Sequence, residues 1–125
     1  GGYQKDLRLV VARLNKDWAG SPARAFVPPQ YYATSSDGYA QILREHGVPQ
    51  DEIGTHAGLA DTSLLLAVAP GMVRLAELRH APKPGAADGV YGGDPRHATA
   101  ALGQLGVDAI VANTIAALRK DTAAR

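Results

Sequence analysis

The balance of helical and extended segments is the feature that most limits how this chain folds. Apolar side chains recur at helical spacing near the N-terminus, and start and stop signals mark two further helices. These predicted helices cover about residues 3–18, 61–69 and 94–120. A short apolar run, Ala25–Val27, stopped by two prolines, favours one buried strand. Because a layered α/β structure needs several strands to cover its helices, the chain is predicted to be one part of an α/β domain.

Composition and charge exclude several classes of protein. The 125 residues carry 13 basic and 12 acidic side chains, and a formal charge of +1 gives no electrostatic basis for binding nucleic acid. There is no cysteine, which excludes disulfides, thiolate metal sites and a cysteine nucleophile. The longest apolar run, Leu64–Pro70, is much shorter than the roughly 20 residues that a membrane-spanning helix needs. We therefore expect a soluble, cytoplasmic protein that binds neither nucleic acid nor membranes.

The segments between the predicted helices are expected to be mostly loops. Residues 30–38 contain Tyr31 and Tyr32 followed by small polar side chains, which is typical of a loop after a strand, where functional residues often lie. One or two helical turns are expected over residues 39–46. Residues 81–93 are rich in proline, glycine and alanine and are expected to be extended. Asp94-Pro95 then predicts the start of the last helix, with the aspartate as its cap.

The densest group of chemically reactive side chains lies in residues 54–63, Gly-Thr-His-Ala-Gly-Leu-Ala-Asp-Thr-Ser. His56 lies on a loop between two glycines, and Asp61 follows five residues later at the start of a helix. A histidine titrates near neutral pH and can transfer protons or bind a metal. Asp61 can orient that histidine, bind a metal or merely cap the helix. The spacing alone favours the simplest interpretation, a loop histidine beside a capping aspartate.

This segment resembles the His-Ala/Gly-Gly-x-x-Glu-Thr-Ser motif of the creatininase (creatinine amidohydrolase) family. As in that family, a leucine-rich helix and a proline follow. A second segment, residues 89–99, reads Gly-Val-Tyr-Gly-Gly-Asp-Pro-Arg-His-Ala-Thr. It is similar to the family sequence Gly-Val-x-Gly-Asp-Pro-x-x-Ala-Thr, with one additional glycine. The resemblance covers essentially the whole chain, but only the C-terminal half of a typical member.

The resemblance implies a three-layer α/β/α creatininase-like fold, in which residues 1–125 form the C-terminal half of a single domain. It also implies a metal-dependent amidohydrolase, in which divalent ions, commonly zinc or manganese, activate water to cleave a C–N amide bond. The implied substrate is a cyclic amide, a formamide or a short peptide.

The same resemblance assigns roles to individual residues. His56 corresponds to the active-site histidine that transfers protons or contacts substrate, and Asp61 takes the place of the family glutamate. Because aspartate is one methylene shorter, a contact made by the glutamate shifts or is lost. Four further residues are expected to line the substrate site, the tyrosines by a looser correspondence: Thr55, Gly58, Tyr31 and Tyr32.

Most metal ligands of the family lie upstream of the segment that this chain matches. They are a Glu-x-His motif, a following aspartate and the histidine of an Asn-Gly-His-Gly-Gly-Asn-like motif, and Gly1-Gly2 corresponds to the glycines after that histidine. The metal is therefore expected to be held mainly by an N-terminal chain, cut from the same precursor before Gly1, and the pair is expected to form a homo-oligomer. Accidental nicking and a simple sequence boundary are the alternatives to a functionally processed Gly1.

A non-catalytic subunit that keeps the same fold for binding or assembly is the alternative to the enzyme. It is favoured by Asp61 in place of glutamate, by Tyr3 in place of asparagine, and by the additional glycine at residues 92–93. Intact upstream metal ligands would indicate an enzyme, and degraded ones a scaffold.

Overall fold

The computed structural model describes residues 2–123, and the regular elements in this part of the chain are all helical. Gly1, the possible processed N-terminus, lies outside the described residues. The α-helices of the described chain are α1 Gly2–Asp17, α2 Pro29–Ala33, α3 Tyr39–Glu45, α4 Gln50–Ile53, α5 Leu59–Val68, α6 Leu75–His80 and α7 Ala100–Ala123. A π-helical turn, Thr34–Gly38, joins α2 to α3, and short 3₁₀ turns cover Pro70–Met72, Ala86–Asp88 and Pro95–His97.

The predicted α/β/α fold is wrong for this structure, because residues 2–123 contain neither a strand nor a sheet. The predicted strand Ala25–Val27 has no extended neighbour. Instead the side chain of Asn15 accepts a hydrogen bond from the Ala25 N–H and donates one to its carbonyl oxygen, both at 2.8 Å. Ala25 thus pairs its backbone with an amide side chain, which imitates a strand partner. One antiparallel bridge, between His56 and Tyr91, is the sole β-type pairing within this range.

The prediction of a loop over residues 30–38 is also wrong, because helical backbone continues without a break from α2 through the π turn into α3. Short polar side chains often favour loops, since they compete for backbone hydrogen bonds. Here that competition is compatible with a helix. The Ser36 hydroxyl donates to the carbonyl of Tyr32 at 2.7 Å, within the same helix.

Asp94 caps a turn, as the sequence predicts, but the turn is a short one. Its carboxylate accepts a hydrogen bond from the Arg96 N–H at 3.0 Å at the start of the 3₁₀ turn Pro95–His97. Extended backbone at Ala98 then separates this turn from α7, which begins at Ala100. The long terminal helix is therefore present, but it starts later than predicted.

The core is small and lies where α3, α4 and α5 meet. Its buried apolar side chains are Tyr39, Leu43, Ile53 and Leu59. The most extensive contact between elements is that of α5 with α7, where Gly103 faces the backbone of Ser63. Gly106, also of α7, faces the ring of Tyr39 in α3. The Tyr39 hydroxyl donates to the Leu102 carbonyl at 3.1 Å, which ties α3 to α7 as well.

Much of the apolar surface of α1 and α7 is uncovered within this part of the chain. Leu9 and Val10 of α1, and Val111, Ile115 and Leu118 of α7, are each at least 42% exposed. An 18-residue window of α7 has a mean hydropathy of 1.4 and is 11% buried, so its length and composition match those of a membrane-crossing helix. The same two properties are found in core helices of soluble proteins. The sequence predicts this helix but not its membrane-like hydropathy, because glycines and single polar residues interrupt every apolar run within it.

The contact of α5 with α7 predicts the effect of a methyl group at Gly103. An added Cβ would overlap the Ser63 carbonyl group, which is backbone and cannot rotate away. We expect Gly103→Ala to lower the free energy of unfolding by about 2 kcal/mol, although alanine favours helix more than glycine does. Chemical denaturation of the purified protein measures this. Gly71→Ala is the control, since nothing lies within 4 Å of its added Cβ; equal stability of both variants would contradict the predicted contact.

Candidate functional site

The two motifs singled out in the sequence lie side by side. The backbone N–H of Thr55 donates to the Tyr91 carbonyl at 2.8 Å, and the Tyr91 N–H donates to the His56 carbonyl at 2.9 Å. The Thr55 hydroxyl also donates to the Tyr91 carbonyl, at 2.9 Å. These bonds hold the backbone of residues 55–56 from one side, so the loop that carries the histidine has a fixed path.

Glycines permit this close approach of the two segments. Gly54 has φ of +78°, and an added Cβ there would overlap the Gly92 carbonyl oxygen. A Cβ on Gly58 would lie 2.6 Å from the same oxygen, and Gly58 itself is buried. Gly58, expected to line a substrate site, is therefore placed as a packing and helix-start position, immediately before α5.

Asp61 holds the His56 loop from its other side. Its Oδ2 atom accepts a hydrogen bond from the Ala57 N–H at 3.0 Å, and Ala57 has φ of +51°, which is unfavourable for a residue with a side chain. The carboxylate thus stabilises a strained residue directly after the histidine. Among the described residues, no hydrogen bond joins Asp61 to the His56 ring, so Asp61 contacts the loop through its backbone.

His56 differs from the other three histidines in how its ring is engaged. The ring is exposed and packs edge-to-face with Tyr91, with 6.0 Å between ring centroids. The rings of His46, His80 and His97 each use Nδ1 in a hydrogen bond, to the Ile42 carbonyl, the Ala76 carbonyl and the Glu52 carboxylate. Within residues 2–123 the His56 ring nitrogens make no such bond. The ring contacts Tyr91 at the surface, and both its nitrogens remain unbonded among the described residues.

A polar cavity of about 480 Å³ lies beside the histidine loop. Thr55 and Asp61 line it from the loop and α5, and Asp37 and Arg44 line it from the π turn and α3. Insertions of π-helical geometry are frequent at functional sites, and this one brings Ser35, Ser36 and Asp37 to the cavity. Of the sequence-predicted residues, the structure brings Thr55 and Asp61 to one cavity, with His56 next to Thr55 on the adjoining loop.

Tyr31 and Tyr32 lie apart from this cavity. Their rings contact each other edge-to-face with centroids 5.3 Å apart, and Tyr32 lines a neighbouring cavity of about 320 Å³ together with Arg8 of α1. Ser36 lines both cavities. Burial raises the pKa of the Tyr32 hydroxyl, with a smaller contribution from the nearby tyrosines. The predicted aromatic pair is therefore close to the polar cavity but does not line it.

Sequence reasoning missed Asp37 and Arg44. Asp37 falls in the segment expected to be a functional loop, and Arg44 in the predicted helical turns, but no motif marks either residue. The signal that identifies them is the continuous helix from Pro29 to Glu45, because α2, the π turn and α3 place them on one cavity. Only the last part of that helix, over residues 39–46, is predicted from the sequence.

A comparison with protein families matches residues 1–118 to creatininase, described as creatinine amidohydrolase. The chain belongs to the creatininase family. Comparisons with curated proteins and with solved structures give no match. The resemblance carried by the two motifs is confirmed, and with it amidohydrolase as the general class of enzyme, in a family that is generally metal-dependent.

The described part of this creatininase-family chain does not by itself provide a metal site. Residues 2–123 contain no group of three or more histidine, aspartate or glutamate side chains able to hold one ion. Three side chains that could bind a metal already have partners. Asp61 accepts a hydrogen bond from the Ala57 N–H, and the Glu52 carboxylate is bonded to His97 at 3.0 Å. No metal ligand is therefore assigned within this range.

The second creatininase motif contains an ion pair whose carboxylate is buried and whose guanidinium is partly exposed. Asp94 is 2% exposed and accepts hydrogen bonds from the Arg96 guanidinium, including one from Nη2 at 2.7 Å. Bonding to Arg96, opposed by burial, lowers the pKa of Asp94 from 3.8 to about 2. Arg96 also donates to the Ala81 carbonyl at 3.3 Å, so the pair connects the 3₁₀ turn before α7 to the end of α6.

The lowered pKa of Asp94 predicts how stability depends on pH. Because the folded-state pKa lies below the unfolded value, the stabilisation is fully present above about pH 4 and is lost as pH falls towards 2. Allowing for solvent screening, we expect about 1 to 2 kcal/mol. The difference in unfolding free energy between the wild type and Asp94→Asn should narrow by this amount from pH 5 to pH 2 in chemical denaturation. A difference in unfolding free energy that stays constant between pH 5 and pH 2 would contradict this prediction. The control is Asp51→Asn, because the Asp51 carboxylate is exposed.

Proposed function

We propose that this chain supplies the His56 side of a metal-dependent amidohydrolase site that cleaves a C–N amide bond in a small molecule or short peptide. The observation that carries the proposal is the exposed His56 ring, whose nitrogens make no hydrogen bond within residues 2–123, on a loop fixed from both sides. Zinc or manganese, held mainly by an N-terminal chain of the same precursor, would supply the activated water.

His56 is suited to proton transfer during amide cleavage. Breaking a C–N bond requires that the leaving nitrogen gain a proton, and an imidazole near neutral pH can accept a proton and then donate it. Asp61 and Thr55 keep the backbone around the ring in place, so little conformational entropy is lost when a substrate binds. The polar cavity beside the loop would hold the rest of the substrate.

The exposed apolar faces of α1 and α7 support a protein partner. We propose that the N-terminal chain and further copies of the pair cover them. Asp108 lies within α7 and accepts a hydrogen bond from Gln104 at 2.7 Å. An ionised side chain within a membrane-crossing helix is costly in a hydrocarbon layer, which favours protein over lipid as the covering material.

Replacement of His56 tests the proposed role. We expect His56→Gln to lower kcat by a factor of about 10² to 10⁴ with the free energy of unfolding unchanged, since the ring is exposed and makes no hydrogen bond to the described residues. The measurement is hydrolysis of a panel of cyclic amides, formamides and dipeptides, by the protein purified with any accompanying chain and supplied with Zn²⁺ or Mn²⁺.

His46→Gln is the matched control, because His46 is exposed at the end of α3 and lies away from the loop. It should retain the wild-type rate. Equal rates for His56→Gln and the wild type would contradict the proposed role of His56. Absence of hydrolysis across the panel would instead favour the binding or assembly subunit.

A further inference from the structure

The polar cavity contains an arginine and an aspartate that do not pair with each other, besides Asp61, whose carboxylate is bonded to the Ala57 N–H. Arg44 and Asp37 line the same 480 Å³ space, yet no ion pair joins them, and the Asp37 carboxylate has no hydrogen bond or ion pair within the described residues. Elsewhere the chain does pair such groups, as Arg96 with Asp94 at 2.7 Å. An unpaired cation and anion on one cavity are available to the complementary ends of a ligand.

Arg44 is held in position by neutral groups. Its Nε and Nη2 atoms both donate to the Gln41 side-chain oxygen, and Nη1 donates to that of Gln50. The Gln41 amide is in turn oriented by Glu45, to which it donates at 2.8 Å. Because amide oxygens carry no full charge, they fix the guanidinium without cancelling its charge.

The guanidinium also keeps donors free. Of its five N–H groups, three are used in these bonds and two remain. A planar, fixed guanidinium with free donors is the group that proteins favour for binding carboxylates, because little entropy is lost on binding. The arrangement at Arg44 therefore favours an anionic, oxygen-bearing group of a ligand.

We propose that the substrate is a zwitterionic amide whose carboxylate binds Arg44 and whose cationic group binds Asp37. This rests on the proposed function and adds the charge pattern of the substrate. The cavity volume is ample for a molecule of dipeptide size. Thr55 and Asp61 line the same cavity, so a ligand held between Arg44 and Asp37 lies beside the histidine loop.

Binding of three matched probes tests the charge pattern. Glycylglycine carries both charges, glycylglycinamide lacks the carboxylate, and N-acetylglycylglycine lacks the ammonium group. We expect the wild-type protein, with its accompanying chain, to bind glycylglycine about tenfold more tightly than either analogue. Isothermal titration, completed before hydrolysis products accumulate, gives the dissociation constants.

Substitutions assign each preference to one residue. Arg44→Gln should abolish the preference for glycylglycine over glycylglycinamide, and Asp37→Asn should abolish the preference over N-acetylglycylglycine. Arg44→Lys should keep part of the first preference, because it keeps the charge but loses the planar fork. Arg24→Gln, outside the cavity, is the control, since Arg24 bonds backbone carbonyls such as that of Ser21.

Equal affinity for the three probes, no binding of any, or preferences unchanged in the variants would each overturn the proposal. Its failure is distinguishable from failure of the proposed function. A protein that hydrolyses amides without these preferences contradicts only the charge pattern. One that shows the preferences without hydrolysing any amide contradicts only the proposed function.

Discussion

The close packing of α5 on α7 is the contact on which the rest of the structure depends. Gly103 brings the α7 backbone against the Ser63 carbonyl, and the buried Ser63 hydroxyl accepts a hydrogen bond from the Thr99 N–H at 3.2 Å. Ser63 lies two residues after Asp61, so the same helix turn that packs on α7 also carries the carboxylate that holds the His56 loop. The position of the histidine is thereby tied to the core, although its own ring is exposed.

The two motifs could be predicted from the sequence, but their mutual contact could not. Residues 54–63 and 89–99 were recognised as separate segments, and the family comparison confirms what they indicate. Their pairing depends on bonds between backbone groups, such as Thr55 N–H to the Tyr91 carbonyl, which form regardless of the side chains that the residues carry. The α/β fold failed for a related reason. An apolar run at Ala25–Val27 predicts burial, whereas the Ala25 hydrogen-bonding groups are satisfied by Asn15, which no periodicity reveals.

The helix from Pro29 to Glu45 shows a second limit of local reasoning. Tyr31, Tyr32 and the polar residues after them predict a loop by their individual propensities, yet tertiary contacts decide otherwise. Asn113 of α7 donates to the hydroxyl of the buried Thr34 at 2.8 Å, and the buried Tyr39 ring packs on Gly106. These contacts come from residues more than 60 positions away, and they fix the π turn that brings Asp37 to the cavity.

The Asp61 carboxylate bonds the backbone beside His56 and not the histidine ring. The resemblance to the family motif implies a catalytic role for Asp61, whereas its hydrogen bond is to the Ala57 N–H. Ala57 has φ of +51°, a conformation that costs free energy for a residue with a side chain, and the hydrogen bond that its N–H donates to Asp61 offsets part of that cost. The shorter aspartate reaches this N–H from the first turn of α5. With aspartate at this position the His56 loop is held by a hydrogen bond to its backbone, and the His56 ring nitrogens make no hydrogen bond to the described residues.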